Sequence, residues 1–197
     1  LSVRDLHFPA LPPMTFDIRR GEIAFLRDEN YNTGRRLHEC FLGDRGWTSG
    51  FFRLNGRLYQ PGDLGSEIGI QIERPDRPGG VLFDNMTALD NLCTSLIPKA
   101  GQHIIRKKIV SSILSEALRW FPKEMLLQPL SSWSYPERLR FSYYRWYLLN
   151  PRLLICFFPF AGQESTHHKM IIDLLVLCAQ RGMAVWIISS GIDAICE

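Results

Sequence analysis

Residues 133–162 read WSYPERLRFSYYRWYLLNPRLLICFFPFAG, and this stretch decides the fold. Ser134 and Glu137 form an S-x-x-E capping box, which predicts a helix from about Ser134 to Leu149. Pro136 falls in the first turn, where its missing N–H costs nothing, and Asn150-Pro151 marks the stop. The run Leu153 to Phe158 is apolar and bounded by turn residues, as expected of a buried parallel strand. Strands of this kind in α/β enzymes often deliver an acid at their carboxyl end. Here the chain delivers Phe157 and Phe158, then Pro159.

Outward from this unit, the carboxyl-terminal side predicts a helix over "HHKMIIDLLVLCAQRG", ending at Gly182, and a last strand "AVWIISS". Helix-strand-helix-strand implies a right-handed crossover and a mainly parallel core sheet. The amino-terminal side opens with β-like "LSVRDLHF" and "MTFDIRRGEIAFL", with Gly21-Glu22 as a turn. A polar loop from Arg27 to Gly34 leads into a short helix "RRLHECFLG", closed at Gly43. "TSGFFRLNGRLYQPG" reads as a hairpin, with Thr48-Ser49-Gly50 a turn and Asn55-Gly56 the hairpin signal. "EIGIQIE" is a further strand, followed by the loop "RPDRPGGVLF". From Met86 to Gln128 the period becomes helical, with Ile105, Ile109, Ile113, Leu114, Leu118 and Phe121 on one face.

Composition is ordinary for one globular domain: 197 residues, 46% hydrophobic and 22% charged. A net charge of +3 is too mild to argue for direct nucleic-acid binding or an anionic membrane. Arg106-Lys107-Lys108, the longest like-charge block, fits a solvated helix face. Cys40, Cys93, Cys156, Cys178 and Cys196 are odd in number and scattered, which predicts buried reduced thiols. No apolar run is long enough to span a bilayer. The chain starts at Leu1 without a methionine and stops soon after a strand-like run. This predicts a single domain, residues 1–197, taken from a longer protein, with a helical subdomain at about 86–149.

The motif order resembles the ATP-binding cassette (ABC) ATPases, and most of all the second cassette of tandem monosaccharide importers. "RRGEIAFL" is similar to the family's strand before the phosphate loop, and "TSGFFRLNGR" to its T-S-G hairpin. "GIQIERPDR" and "GVLFDNMTALDNL" match its G-I…E-D-R and G-L…S-V-x-E-N segments without a gap, Asp76 and Arg77 included. "WSYPERLRFSYYRWYLLNPRLLI" keeps the frame of L-S-G-G-E-R-Q-R…L-L-x-N-P-x-L-L-I. The resemblance covers nearly the whole chain. It implies a P-loop-NTPase-like α/β cassette with an N-terminal antiparallel portion, a mainly parallel core sheet and a helical subdomain.

The chemistry of that family is replaced at four places. A phosphate loop needs G-x-x-x-x-G-K-[ST], in which backbone N–H groups close on phosphate and a hydroxyl holds magnesium. Without a gap, Asp28, Thr33, Gly34 and Arg35 stand at its four defining positions, and Asp28 with Glu29 would repel a triphosphate. Shifted by one residue, Gly34 becomes the last glycine, Arg35 replaces the lysine and Arg36 takes the hydroxyl position. Two readings stand side by side: a weak anion site of Arg35, Arg36 and a helix N-terminus, or a polar loop with a solvated basic pair. The signature loop reads Trp133-Ser134-Tyr135-Pro136, where Tyr135 adds bulk and Pro136 lacks an N–H. Phe157 and Phe158 stand where the resemblance implies carboxylates that order magnesium and polarise water. Ser190 replaces the switch histidine, and Glu164, after Gln163, is the candidate for the aspartate of the next loop.

The resemblance therefore implies a cassette that has lost hydrolysis and holds no catalytic residue. Gly34, Arg35, Arg36 and Ser134 are its candidate nucleotide contacts. No cofactor or metal is expected, ATP with magnesium being the one the family would supply. Its partner would be another cassette, a permease or a fused signalling or DNA-binding output domain, and its place cytoplasmic, peripheral to the inner face of the membrane. A regulatory domain on the same fold is the second reading, and an active importer ATPase the third. His167-His168 read as a loop-edge pair, since neighbours on a helix point about 100° apart. Seven aromatics between Trp133 and Tyr147 leave two readings open: an exposed contact surface, or burial between a sheet and the helical part.

Overall fold

The computed structural model describes residues 1–8, 11–63, 67–73, 82–99, 107–161 and 164–190. The loop carrying Asp76 and Arg77, together with Ile105, Arg106, Gln163 and Cys196, lies outside them.

Among the described residues, eight strands form two sheets. β1 (Ser2–His7), β2 (Met14–Asp17), β4 (Ser49–Leu54) and β5 (Arg57–Tyr59) form an antiparallel sheet in the order β2-β1-β4-β5. β3 (Ile23–Arg27), β6 (Ile68–Ile72), β7 (Leu153–Phe157) and β8 (Ala184–Ser189) form a parallel sheet in the order β3-β8-β7-β6. Every residue of β7 and β8 is buried, which is why both read as continuous apolar runs rather than alternating ones. The expected fold class holds: an antiparallel portion, a parallel core sheet and helices.

The helices are α1 (Asn32–Leu42), α2 (Ala88–Lys99), α3 (Lys107–Ala117), the short α4 (Lys123–Leu126), α5 (Tyr135–Leu149) and α6 (Ser165–Gln180). The helix α5 starts as its sequence predicts, with both halves of the Ser134–Glu137 capping box formed. It joins two cores. Phe141 and Tyr144 pack with Trp133, Phe121 and Leu92 among the helices, whereas Leu139 and Tyr143 pack against β7, β8 and α6. The aromatic stretch is thus divided between two interiors, with Trp146 and Tyr147 half-buried; this is the burial reading, not the exposed surface. Trp120 and Phe121 complete the aromatic cluster around Tyr144, with ring centroids 5.3 Å away in each case.

Five local expectations are corrected. The helix α1 starts at Asn32, three residues before Arg35, because Tyr31 adopts a left-handed conformation and turns the chain early. Ser49 and Gly50 belong to β4 rather than a turn; Gly50 has φ +82°, and a Cβ there would lie 2.2 Å from the carbonyl oxygen of Asp5 on the paired strand. Leu118 is 44% exposed at the carboxyl end of α3, although its N–H still donates to the Leu114 carbonyl at 2.9 Å. Phe158 leaves β7 at φ +54° instead of ending it. The helix α6 begins at Ser165, so His167 and His168 lie inside its first turns, their rings against Tyr135 and Phe160. The four described cysteines are buried and free. Among the described residues no helix is long and apolar enough to cross a membrane.

Candidate functional site

The carboxyl ends of β3, β7 and β8 meet the start of α1, the position at which open α/β sheets receive ligands. Arg27 closes β3, and the Asp28 N–H donates to the Ser189 carbonyl at 2.9 Å, continuing the sheet by one bond. The chain then turns through Tyr31 at φ +57° into α1.

The first turn of a helix has N–H groups without intrahelical partners. Here one of them is taken within the chain: Gly34 N–H donates to the Asp28 carboxylate at 2.7 Å. Asp28 is 6% exposed, so its negative charge lies at the positive end of α1, where the helix dipole favours it. No sequence pattern announced this cap, since the usual pairing reaches two or three residues forward and this one reaches six. The available signal was an aspartate in a polar loop before a glycine-bearing helix start.

Phe158 closes the same place from the other side. Its N–H donates to Ile188 at 2.7 Å, which holds the residue just beyond the sheet. A Cβ on Gly34 would stand 2.5 Å from the Phe158 ring and 3.0 Å from Ile188. Glycine is therefore required at residue 34 by the ring above it, not by a positive φ. The Tyr31 and Phe158 rings pack at 4.7 Å, and the Tyr31 hydroxyl lies 3.2 Å from Ser190 Oγ. Phe157 is fully buried, edge-on to His38 at 5.3 Å. Burial lowers the His38 pKa, with Asp44 and Glu39 opposing it.

The sequence candidates are placed as follows. Gly34 and Phe158 are in contact range, with Phe157 one residue away on β7. Arg35 is exposed, its Nε 3.8 Å from Glu39. Arg36 is half-buried on a different side of α1, lining a cavity of about 210 Å³ with Phe8, Cys40 and Arg45. Ser134 caps α5, its hydroxyl and N–H both donating to Glu137, at 2.6 and 2.8 Å. Glu164 is exposed before α6. Beside the start of α1 lies a cavity of about 320 Å³ lined by Leu11, Arg27, Asp28, Glu29, Asn30, Asn32 and Thr33. Its one cation is tied to Glu29 at 2.8 Å, so this cavity is acidic rather than phosphate-attracting. Among the described residues no group of three or more His, Cys, Asp or Glu could hold a metal.

No protein-family model matches the chain. In sequence it is similar to proteins described as ribose/galactose/methyl galactoside import ATP-binding proteins. That of Pseudomonas syringae pathovar tomato is 25% identical over 99% of this chain and 38% of its own length. That of Pseudomonas fluorescens is also 25% identical, over 99% of this chain and 39% of its own length. The chain thus spans less than half the length of these relatives. Among solved structures it is similar to cbiO1 of Clostridium perfringens, part of the ABC transporter complex cbiONQ. The TM-score is 0.76 at 21% identity, covering 98% of this chain and 79% of that one. The ADP conformation of MJ1267, an ATP-binding cassette of an ABC transporter, matches with a TM-score of 0.72 at 15% identity, over 98% and 80% of the two chains. The fold is that of an ATP-binding cassette, and the sequence is similar, over nearly its whole length, to ATP-binding proteins of sugar importers.

Proposed function

We propose that this domain is a cassette that no longer hydrolyses ATP, of the kind found as the second cassette of monosaccharide importers. What supports the reading is the filled space between α1 and the end of β7. A triphosphate needs free N–H groups at the helix start, a cation and a magnesium-ordering hydroxyl or carboxylate. The Asp28 carboxylate engages the Gly34 N–H, the Phe158 ring covers it, and Phe157 and Phe158 offer no charge to a metal. MgATP does not fit these residues, so no catalytic step is assigned to them. Gly34, Arg35, Arg36 and Ser134 would be its contacts only if Asp28 and Phe158 were displaced.

In this role the domain completes a dimer with a hydrolysing cassette beneath a permease, at the inner face of the membrane. A regulatory domain fused to an output module is the second reading. It is favoured by Tyr135 and Pro136, which replace the small, N–H-bearing residues at the start of α5 through which a cassette would touch its partner's nucleotide. Titration calorimetry with ATP and magnesium, paired with a phosphate-release assay, decides the main claim. The expected result is neither saturable binding in the micromolar-to-millimolar range (about −4 to −8 kcal/mol) nor turnover. Magnesium-dependent binding with turnover overturns it.

A further inference from the structure

We infer that a cavity at the opposite end of the parallel sheet binds a polyvalent phosphate compound of small size. Four connections converge there: the approach to β3, the turn between β4 and β5, the link from α5 to β7 and the link from α6 to β8. They enclose about 650 Å³, lined by Arg19, Arg20, Arg152 and Arg181 with Asn55 and Asn150 over a floor that includes Ile18 and Leu54. That volume suits a small molecule. No acidic residue is among the lining residues. Arg152 is paired with Glu67 outside the lining, and the other three arginines, with no ion pair among the described residues, match the +3 net charge of the whole molecule.

Two of the guanidinium groups are held in place, which lowers the cost of ordering them around a ligand. Arg181 donates to the Tyr147 carbonyl at 3.0 Å and lies over the Tyr147 ring at 4.5 Å. Arg152 uses its Nε on Glu67 at 2.7 Å, and its fork has further N–H groups to give. Arg20 rests against Gly182, where a Cβ would stand 2.6 Å from its Nε. Gly182 also has φ +88°, a conformation that disfavours any other residue there. Planar N–H forks lining one concavity match the oxygens of phosphate groups. The cavity is at the amino ends of β7 and β8 and shares no residue with the site at α1, so the inference does not depend on the fate of ATP there.

The test is titration calorimetry of the protein with inorganic pyrophosphate, and with fructose 1,6-bisphosphate as the organic counterpart. Expected are one site per chain for each compound, mutual competition, and weakening at about 0.15 M salt. Arg20→Gln and Arg181→Gln are each expected to weaken binding about tenfold or more, and the pair to abolish it. Arg35→Gln with Arg36→Gln leaves it unchanged. If Arg181→Gln fails to fold, Arg19→Gln replaces it, since no hydrogen bond or ion pair of its side chain is found among the described residues. The inference is overturned by absence of saturable binding, by several equivalent sites per chain, or by full affinity in folded Arg20→Gln and Arg19→Gln variants. It is likewise overturned if a hexaglutamate peptide outcompetes both phosphate compounds, which would make the cavity a seat for an acidic protein segment.

Discussion

At the scale of the residue, Gly34 carries the most information in the candidate site. Its N–H is taken by Asp28 and its missing side chain is the space that the Phe158 ring fills. Two non-glycine residues in contact here, Tyr31 and Phe158, both have positive φ. Each conformation costs on the order of 1–2 kcal/mol, which the rest of the structure must offset. Gly34→Ala places a methyl group 2.5 Å from the Phe158 ring and is expected to destabilise by about 1–3 kcal/mol, as overpacking does. Phe158→Ala removes the obstacle, so the double variant costs less than the two single variants added. Urea unfolding of all four proteins measures the coupling; additivity within about 0.5 kcal/mol would show that ring and glycine do not oppose each other. The sequence showed Phe157 and Phe158 at the end of an apolar strand but not the seal they complete. Asp28 looked like a charge that repels phosphate, and nothing in DENYNTG says that it turns back onto Gly34.

At the scale of the element, the helix α5 shows how much local chemistry can be read without coordinates. The Ser134–Glu137 pair, Pro136 and Asn150-Pro151 place its ends within a residue, because caps and stops are interactions between near neighbours. Where the partner is distant in sequence, reading fails: Ser49-Gly50 looks like a turn until β1 lies beside it. Hydrogen bonds from the Ser134 hydroxyl and N–H hold the Glu137 carboxyl below its ordinary pKa. A carboxylate whose folded pKa is depressed contributes stability above its unfolded pKa, about 4.3, and loses it as pH falls through the folded value. The stability advantage of the wild type over Glu137→Gln is therefore expected to be present near neutral pH and to vanish in acid, as pH falls through the depressed folded pKa. Paired denaturation curves at several pH values check this. An advantage that persists unchanged in acid would mean that Glu137 acts through packing rather than as a charged partner of the cap.

At the scale of the whole molecule, the question is whether the helices α2 to α4 and the sheets stand or fall together. A chain of 197 residues is long enough for separate transitions, yet α5 contributes to both interiors on successive turns. The order of elements was legible from periodicity and turn signals, but this shared role was not, since a single sequence does not say which of its aromatics share an interior. A buried link ties the two parts. The Trp146 indole donates to Gln71 Oε1 on β6 at 2.6 Å, and Gln71, 1% exposed, passes its amide N–H to Glu73 at 2.6 Å. Indole is a donor only, so it sets the orientation of the amide. Gly69 on the same strand admits the ring, for a Cβ there would lie 2.8 Å from it. Trp146→Phe keeps an aromatic body and removes the donor, leaving the Gln71 oxygen unpaired at a cost of about 1–3 kcal/mol. If α5 couples the two parts, that loss is felt by the entire chain. The expected result is one unfolding transition in the wild type, the same by far-UV circular dichroism and by fluorescence of the remaining tryptophans, moved as a whole to lower urea in the variant. Trp133 reports from the helical core, Trp47 and Trp186 from the sheets, and Trp120 from both interiors, so uncoupled parts would give non-coincident curves, and a split transition in the wild type would sink the claim.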